Sequence, residues 1–144
     1  MEVNLNKYAG LWFEIDSFKQ IYERDCIHAV AYYKLNNDGT MNVRNICFDK
    51  KWKPIREIQG TATQLNNNKF HVSFPGIPSN PTKANYIILA TDYKTYSVVG
   101  TEDKNALWIL ARENHLNSKT YKNIVKLCYE LGYDVSKLQK LNRI

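Results

Sequence analysis

The sequence contains few cysteines, only Cys26, Cys47 and Cys128, and no CxxC pair. Structural zinc sites and small disulfide frameworks both need more cysteines at closer spacing, so neither a metal site nor a disulfide scaffold is expected. An odd number of cysteines cannot be fully paired. We predict three reduced thiols, buried or half-buried in the fold.

Long apolar runs are also missing. No segment approaches the roughly 18 apolar residues that a membrane span needs. Residues 1–7 contain neither the basic leader nor the apolar block of a signal peptide. We therefore expect a cytoplasmic protein; the alternative, a secreted or periplasmic protein, requires that a leader was removed.

The charge is basic but spread along the chain: 20 Lys and Arg against 14 Asp and Glu give a net charge of +6. The aromatic residues fall on apolar strand faces and not among basic residues, which argues against a nucleic-acid-binding barrel. A chain of 144 residues with 44% apolar residues fits one domain, residues 1–144.

Alternating apolar and polar residues between turn segments such as 36–39 (NNDG) predict β-strands. Because hairpin-length loops join nearly all of them, we expect an all-β fold, an eight-stranded up-and-down antiparallel β-barrel over about residues 8–112. Residues 16–26 read as a long loop. The predicted strands are one ending at residue 15, then 27–35, 40–48, 55–65, 69–74, 85–91, 96–101 and 106–112.

The period changes after Arg112. Ser118 can cap a helix over about residues 118–131, and Gly132 suits its C′ position. We expect this helix to pack outside the barrel and a short strand to follow within residues 133–141. The apolar stripe of the helix consists of Tyr121, Ile124, Val125, Cys128 and Leu131.

Three residues are expected to close one end of the barrel. Gly10 lets the backbone pass close under the ring of Trp12. Arg112 can lie across that ring and donate to nearby carbonyl groups. The other end would be open, and a small barrel open at one end is a cup for a small ligand.

These segments resemble motifs of the lipocalin family: residues 10–15 (GLWFEI) the first, residues 91–93 (TDY) the second, and Arg112 the third. Residues 131–138 (LGYDVSKL) resemble a segment found in one subgroup of this family. The subgroup comprises the bacterial outer-membrane lipocalins, apolipoprotein D and the plant temperature-induced lipocalins. The resemblance implies a calyx that binds fatty acids, lysophospholipids or similar lipids for transport, storage or membrane repair, with no cofactor.

One cysteine departs from the pattern of this subgroup. Apolipoprotein D-like members have a cysteine where Cys26 stands, bonded to one near the C-terminus. Here no cysteine follows Cys128, so Cys26 is expected to lack that partner and to stay reduced.

Alternation, with charged residues facing outward, assigns the inward-facing residues. Trp12, Trp108 and Leu110 are expected to form a lower core layer, and the upper residues to form the ligand wall; Trp108 is counted in both. The predicted ligand contacts are Tyr33, Leu35, Met41, Val43, Asn45, Ile58, Ala62, Val72, Phe74, Tyr86, Ile88, Val99 and Trp108.

The densest basic group at the expected mouth consists of Lys50, Lys51, Lys53 and Arg56. We hypothesise that it meets the carboxylate or phosphate head group of the ligand, and ordinary solvated loop charge is the alternative. Trp52 among these lysines suggests peripheral contact with a membrane surface. The expected partner is a small hydrophobic ligand, and the chain a monomer or weak homodimer.

An enzyme is the alternative function. His28, His71 and His115 do not converge in the predicted fold, so no catalytic site is assigned. Cys47, which shares the inward parity of its strand, and Cys26 are the candidate reactive groups of a lipid-modifying enzyme. His28 with Cys26 or Asp25 near the expected mouth is the only candidate catalytic pair.

Overall fold

The computed structural model describes residues 2–18 and 26–140. Its strands form one sheet in which β1 pairs with both β8 and β2, and this closes an antiparallel eight-stranded barrel. The predicted fold class is confirmed, with one extra strand, β9, beside β1. The elements are α1 (Leu5–Tyr8), β1 (Gly10–Phe18), β2 (His28–Leu35), β3 (Met41–Phe48), β4 (Pro54–Asn66), β5 (Lys69–Ser73), β6 (Tyr86–Thr91), β7 (Tyr96–Gly100), β8 (Leu107–Ala111), α2 (Ser118–Glu130), a 3₁₀ turn (Val135–Lys137) and β9 (Leu138–Lys140).

The first strand is longer than its sequence pattern indicated. The register of β1 against β8 shifts between Glu14 and Asp16, and the strand continues to Phe18. This irregularity breaks the strict alternation, so the sequence pattern predicts a loop at residues 16–18 where the structure has a strand. The rest of the predicted loop, residues 19–25, lies outside the described residues.

Helix α2 covers the outside of the barrel, as expected, and makes a second apolar core with β7 and β8. Its cap is Asn117, whose side chain accepts from the Lys119 N–H, and not Ser118. Ile124 and Cys128 are buried, but Leu131 is exposed, so the predicted stripe ends one turn early. Gly132 has a φ of +94°, the left-handed conformation that its C′ position requires.

The closed end is built as predicted. The Arg112 guanidinium carbon lies 3.7 Å from the centre of the Trp12 ring. Arg112 also donates to the carbonyl groups of Tyr93, Leu11 and Lys7, each at 2.9 Å. Gly10 has a φ of +108°, and a Cβ atom there would lie 3.2 Å from Arg112 Nη1. The backbone conformation and the close approach of Arg112 therefore both favour glycine at this position.

The prediction of three reduced thiols is wrong. Cys26 and Cys47 form a disulfide, with Cα atoms 5.3 Å apart. The pairing of β2 with β3 explains it, because the Ile27 N–H donates to the Phe48 carbonyl at 3.0 Å and brings the flanking residues together. Sequence spacing carries no sign of this register. Cys128 is a free, buried thiol.

No helix in the described part of the chain is both long enough and apolar enough to cross a membrane.

Candidate ligand-binding cavity

The barrel encloses a cavity of about 290 Å³, close to the lower limit of the usual range for small-ligand pockets. Its wall is mostly apolar and draws on seven strands and the loop between β5 and β6. Eight of the predicted ligand contacts line it: Tyr33, Val43, Asn45, Val72, Phe74, Tyr86, Val99 and Trp108.

The remaining predicted contacts face inward but do not line this cavity. Met41, Ala62 and Ile88 are buried in the barrel core, Leu35 packs against it, and Ile58 lines a second cavity. Alternation gives the face on which a residue lies but not its height in the barrel. For the same reason Trp108 and Leu110, expected in the lower core layer, reach the cavity wall.

The sequence pattern missed several wall residues. Glu14 is 4% exposed and lines the cavity, although charged residues were assumed to face outward. Its position two residues after Trp12, which faces the barrel interior, is the signal that could have placed it there. Ala31 and Asn85 were also missed, as was the loop segment 77–79, which has no periodicity to read.

The side of the cavity between β5 and β6 is closed by a side chain. These strands pair only at Lys69–Ile87 and Phe70–Tyr86. Beyond that point the Asn85 side chain replaces the backbone hydrogen bonds between the two strands. Its Oδ1 accepts from the Val72 N–H at 2.7 Å, and its Nδ2 donates to the Val72 carbonyl at 2.9 Å.

The loop after β5 is held against the barrel. His71 Nε2 lies 2.9 Å from Ser79 Oγ, and Ser79 lines the cavity. His71 is only 6% exposed. Its outward parity therefore does not bring it to the solvent, because the loop covers it.

A second cavity of about 270 Å³ shares Glu14 and Asn45 with the first. Its wall includes Arg56, which is in register with Cys47 and whose Nη2 lies 3.9 Å from Cys26 Sγ and 3.7 Å from Cys47 Sγ. Arg56, a member of the predicted basic group, is exposed and borders this second cavity. The other members of that group lie exposed in the turn between β3 and β4: Lys50, Lys51 and Lys53.

Trp52 belongs to the same turn and has a φ of +61°, and its side chain packs against the barrel. Its ring stacks on His28 with centroids 3.9 Å apart and planes 4° from parallel. His28 is therefore covered, at 1% exposure, and its suggested pairing with Cys26 is not formed. Asp25, the other suggested partner, lies outside the described residues.

The predicted reactive cysteines are not available as thiols, because Cys26 and Cys47 are bonded to each other. Burial raises the pKa of Cys128 to about 11, so this thiol stays protonated near neutral pH. Within residues 2–18 and 26–140, no three His, Cys, Asp or Glu side chains are grouped so that they could hold a metal ion.

A chain of hydroxyl groups runs below the cavity. Ser97 Oγ, Tyr8 Oη, Tyr86 Oη and Tyr33 Oη follow one another at 2.8 Å. Burial raises the pKa of Tyr8 to about 12 and the pKa values of Tyr33 and Tyr86 well above the ordinary 10. All four hydroxyls are therefore protonated under physiological conditions.

These raised pKa values predict an alkaline instability. Since the folded state holds the tyrosine protons more tightly than the unfolded state, their contribution to stability is complete below pH 10 and is lost as pH rises through 12. We expect phenolate absorbance of this group to appear together with loss of the far-ultraviolet β-sheet signal. Complete ionisation of all ten tyrosines in a folded barrel would contradict the arrangement.

Comparison with known proteins agrees with this geometry. A family model described as a lipocalin-like domain matches residues 3–143. Temperature-induced lipocalin-1 of Arabidopsis thaliana is 32% identical over 96% of this chain and 78% of its own length, and apolipoprotein D of Macaca fascicularis is 32% identical over 92% and 73%. The solved structure of lobster apocrustacyanin A1 is similar in fold, with a TM-score of 0.74 over 96% of this chain and 78% of the lobster chain. At 17% sequence identity, this similarity supports the fold alone. The chain belongs to the lipocalin family.

Proposed function

We propose that this barrel binds a lipid with a single apolar chain in its main cavity and carries it through water. Membership in the lipocalin family supports binding of a small hydrophobic ligand. The cavity of about 290 Å³ with its mostly apolar wall is the observation that carries the proposal. Each buried CH₂ group contributes about 0.8 kcal/mol, so a medium-length chain reaches micromolar affinity without a polar anchor.

Fatty acids and lysophospholipids fit this description only if their anionic group stays outside the cavity. The described wall contains the carboxyl group of Glu14 and no Lys, Arg or His side chain. An anion buried there without a cation would be strongly disfavoured. The apolar chain therefore enters first, and the head group remains at the mouth.

A quenching experiment tests the location of the ligand. Trp108 lines the cavity, whereas Trp12 is covered by Arg112 and Trp52 lies on the outer surface. A fatty acid brominated along its chain should quench tryptophan fluorescence saturably, and Trp108→Phe should remove most of that quenching. Quenching that disappears in Trp52→Phe and survives in Trp108→Phe would place the lipid on the outside and contradict the proposal.

The head group is proposed to lie near Lys50, Lys51 and Lys53. Replacing these three with glutamine should weaken binding of a fatty acid anion about two- to fivefold at low salt and leave its methyl ester unaffected, since exposed charge pairs are weak. The matched control replaces three exposed lysines of α2, Lys119, Lys122 and Lys126. Equal affinity for the acid and the ester at all salt concentrations would contradict the proposed position of the head group.

We also propose that the mouth touches an anionic membrane when the ligand is exchanged. Trp52 is 38% and Ile77 53% exposed, and both lie in loops at the mouth together with the three lysines of the β3–β4 turn. Co-sedimentation with anionic vesicles, lost in Trp52→Ala, tests this contact.

The Cys26–Cys47 disulfide supports an oxidising compartment. The secreted or periplasmic alternative thus becomes our proposal for localisation, in place of the cytoplasm. Thiol counting on protein from its own source should find one free cysteine before reduction.

A further inference from the structure

The chain of hydroxyl groups contains one more O–H proton than the hydrogen bonds within the chain require. Ser97, Tyr8, Tyr86 and Tyr33 supply four O–H donors, and three hydrogen bonds join them. One of the four donors is therefore left over.

The direction of the chain decides where that donor lies. Ser97 Oγ is fully buried, and among residues 2–18 and 26–140 its only hydrogen-bond partner is Tyr8. If Tyr33 donated toward Ser97, the Ser97 proton would be buried without an acceptor, which is costly. Ser97 therefore donates to Tyr8 and, because Tyr8 is also fully buried, Tyr8 donates to Tyr86. The bond between Tyr86 and Tyr33 can run either way.

The unused proton therefore belongs to Tyr33 or to Tyr86, and both side chains line the main cavity. The cavity floor thus offers a hydrogen-bond donor to whatever fills it. The groups near this donor are not suited to an anion, because Glu14 shares the wall and no Lys, Arg or His side chain lines it in the described part of the chain.

The geometry points to a ligand that carries an uncharged hydrogen-bond acceptor, such as a ketone, aldehyde or ester carbonyl, on its buried part, where Tyr33 or Tyr86 donates to it. This inference rests on the proposed function and narrows its ligand class. A plain hydrocarbon end would leave this donor unsatisfied, whereas a carbonyl oxygen accepts its hydrogen bond without bringing charge toward Glu14.

The test compares methyl nonyl ketone with dodecane, which has the same number of heavy atoms, by displacement of an apolar fluorescent dye. Tyr33→Phe alone would leave the spare proton on Tyr86, the next oxygen along, so the variant carries both Tyr33→Phe and Tyr86→Phe. We expect the ratio of ketone to alkane affinity to fall about tenfold in this variant. Tyr32→Phe, the neighbouring position on the outer face of β2, is the matched control and should leave the ratio unchanged.

A spectroscopic measurement on the wild-type protein does not depend on the variant folding. The carbonyl stretching band of bound ¹³C-labelled ketone should lie at lower frequency than in dodecane solution, as a hydrogen bond requires. If the band of the bound ketone lies at its frequency in dodecane solution, or if the affinity ratio is unchanged in the double variant, the inference is overturned. The proposal of a hydrophobic carrier would still stand. Failure of both ketone and alkane to bind overturns the proposed function as well.

Discussion

Replacing Arg112 with alanine is expected to lower the free energy of unfolding by about 3 kcal/mol. The guanidinium joins three separate segments through its hydrogen bonds to the carbonyl groups of Tyr93, Leu11 and Lys7. It also covers the ring of Trp12, whose indole N–H donates to the Tyr8 carbonyl at 2.9 Å. Without Arg112 these carbonyl groups lose their donor and the closed end of the barrel is open to water. Urea unfolding followed by tryptophan fluorescence measures the loss.

Arg44→Ala is the matched control for this prediction. Arg44 makes a two-pronged pair with Glu57 at 2.9 Å, but both side chains are on the surface, 41% and 31% exposed. Such an exposed pair contributes little to stability, because water and salt screen it. Equal losses for the two variants would show that Arg112 is an ordinary surface charge and that the barrel is closed by other contacts.

Replacing Asn45 with tryptophan is expected to weaken fatty acid binding about 50- to 200-fold. Asn45 lines both cavities, and in the described part of the chain its side chain makes no hydrogen bond that the substitution would break. An indole at this position would occupy the space of three or four methylene groups, each contributing about 0.8 kcal/mol when buried. The same brominated fatty acid titration measures the change.

Asn42→Trp serves as the control, since Asn42 lies on the same strand in register with Lys34 and Thr61 on the outer face. Binding should be unchanged in this variant. Thermal unfolding should show both variants folded. Normal binding by a folded Asn45→Trp protein would mean that the ligand does not use this cavity.

The residues that close the barrel could be predicted from sequence because their roles are local and chemically specific. A glycine two residues before a tryptophan, and an arginine at the end of the last barrel strand, each leave few alternatives once the strands are assigned. Apolar alternation in the same way assigned most of the inward faces, including those of Tyr33, Val72 and Val99.

Two features of the site depended on register and packing that no local pattern contains. The Cys26–Cys47 bond follows from how β2 pairs with β3, and Arg56 is drawn toward these sulfurs because it is in register with Cys47 on the inward face. Glu14, in contrast, could have been placed from the alternation of β1, because it lies two residues after Trp12 and faces the cavity despite its charge.

By itself the sequence determined an eight-stranded barrel with a plugged end and an outer helix, because strand periodicity, turn residues and helix caps act over a few neighbouring residues. Only the tertiary structure decided which inward residues border empty space, and that Ser97, Tyr8, Tyr86 and Tyr33 join into one chain of hydroxyls. These residues come from four different elements, and their distances exist only once the barrel has closed.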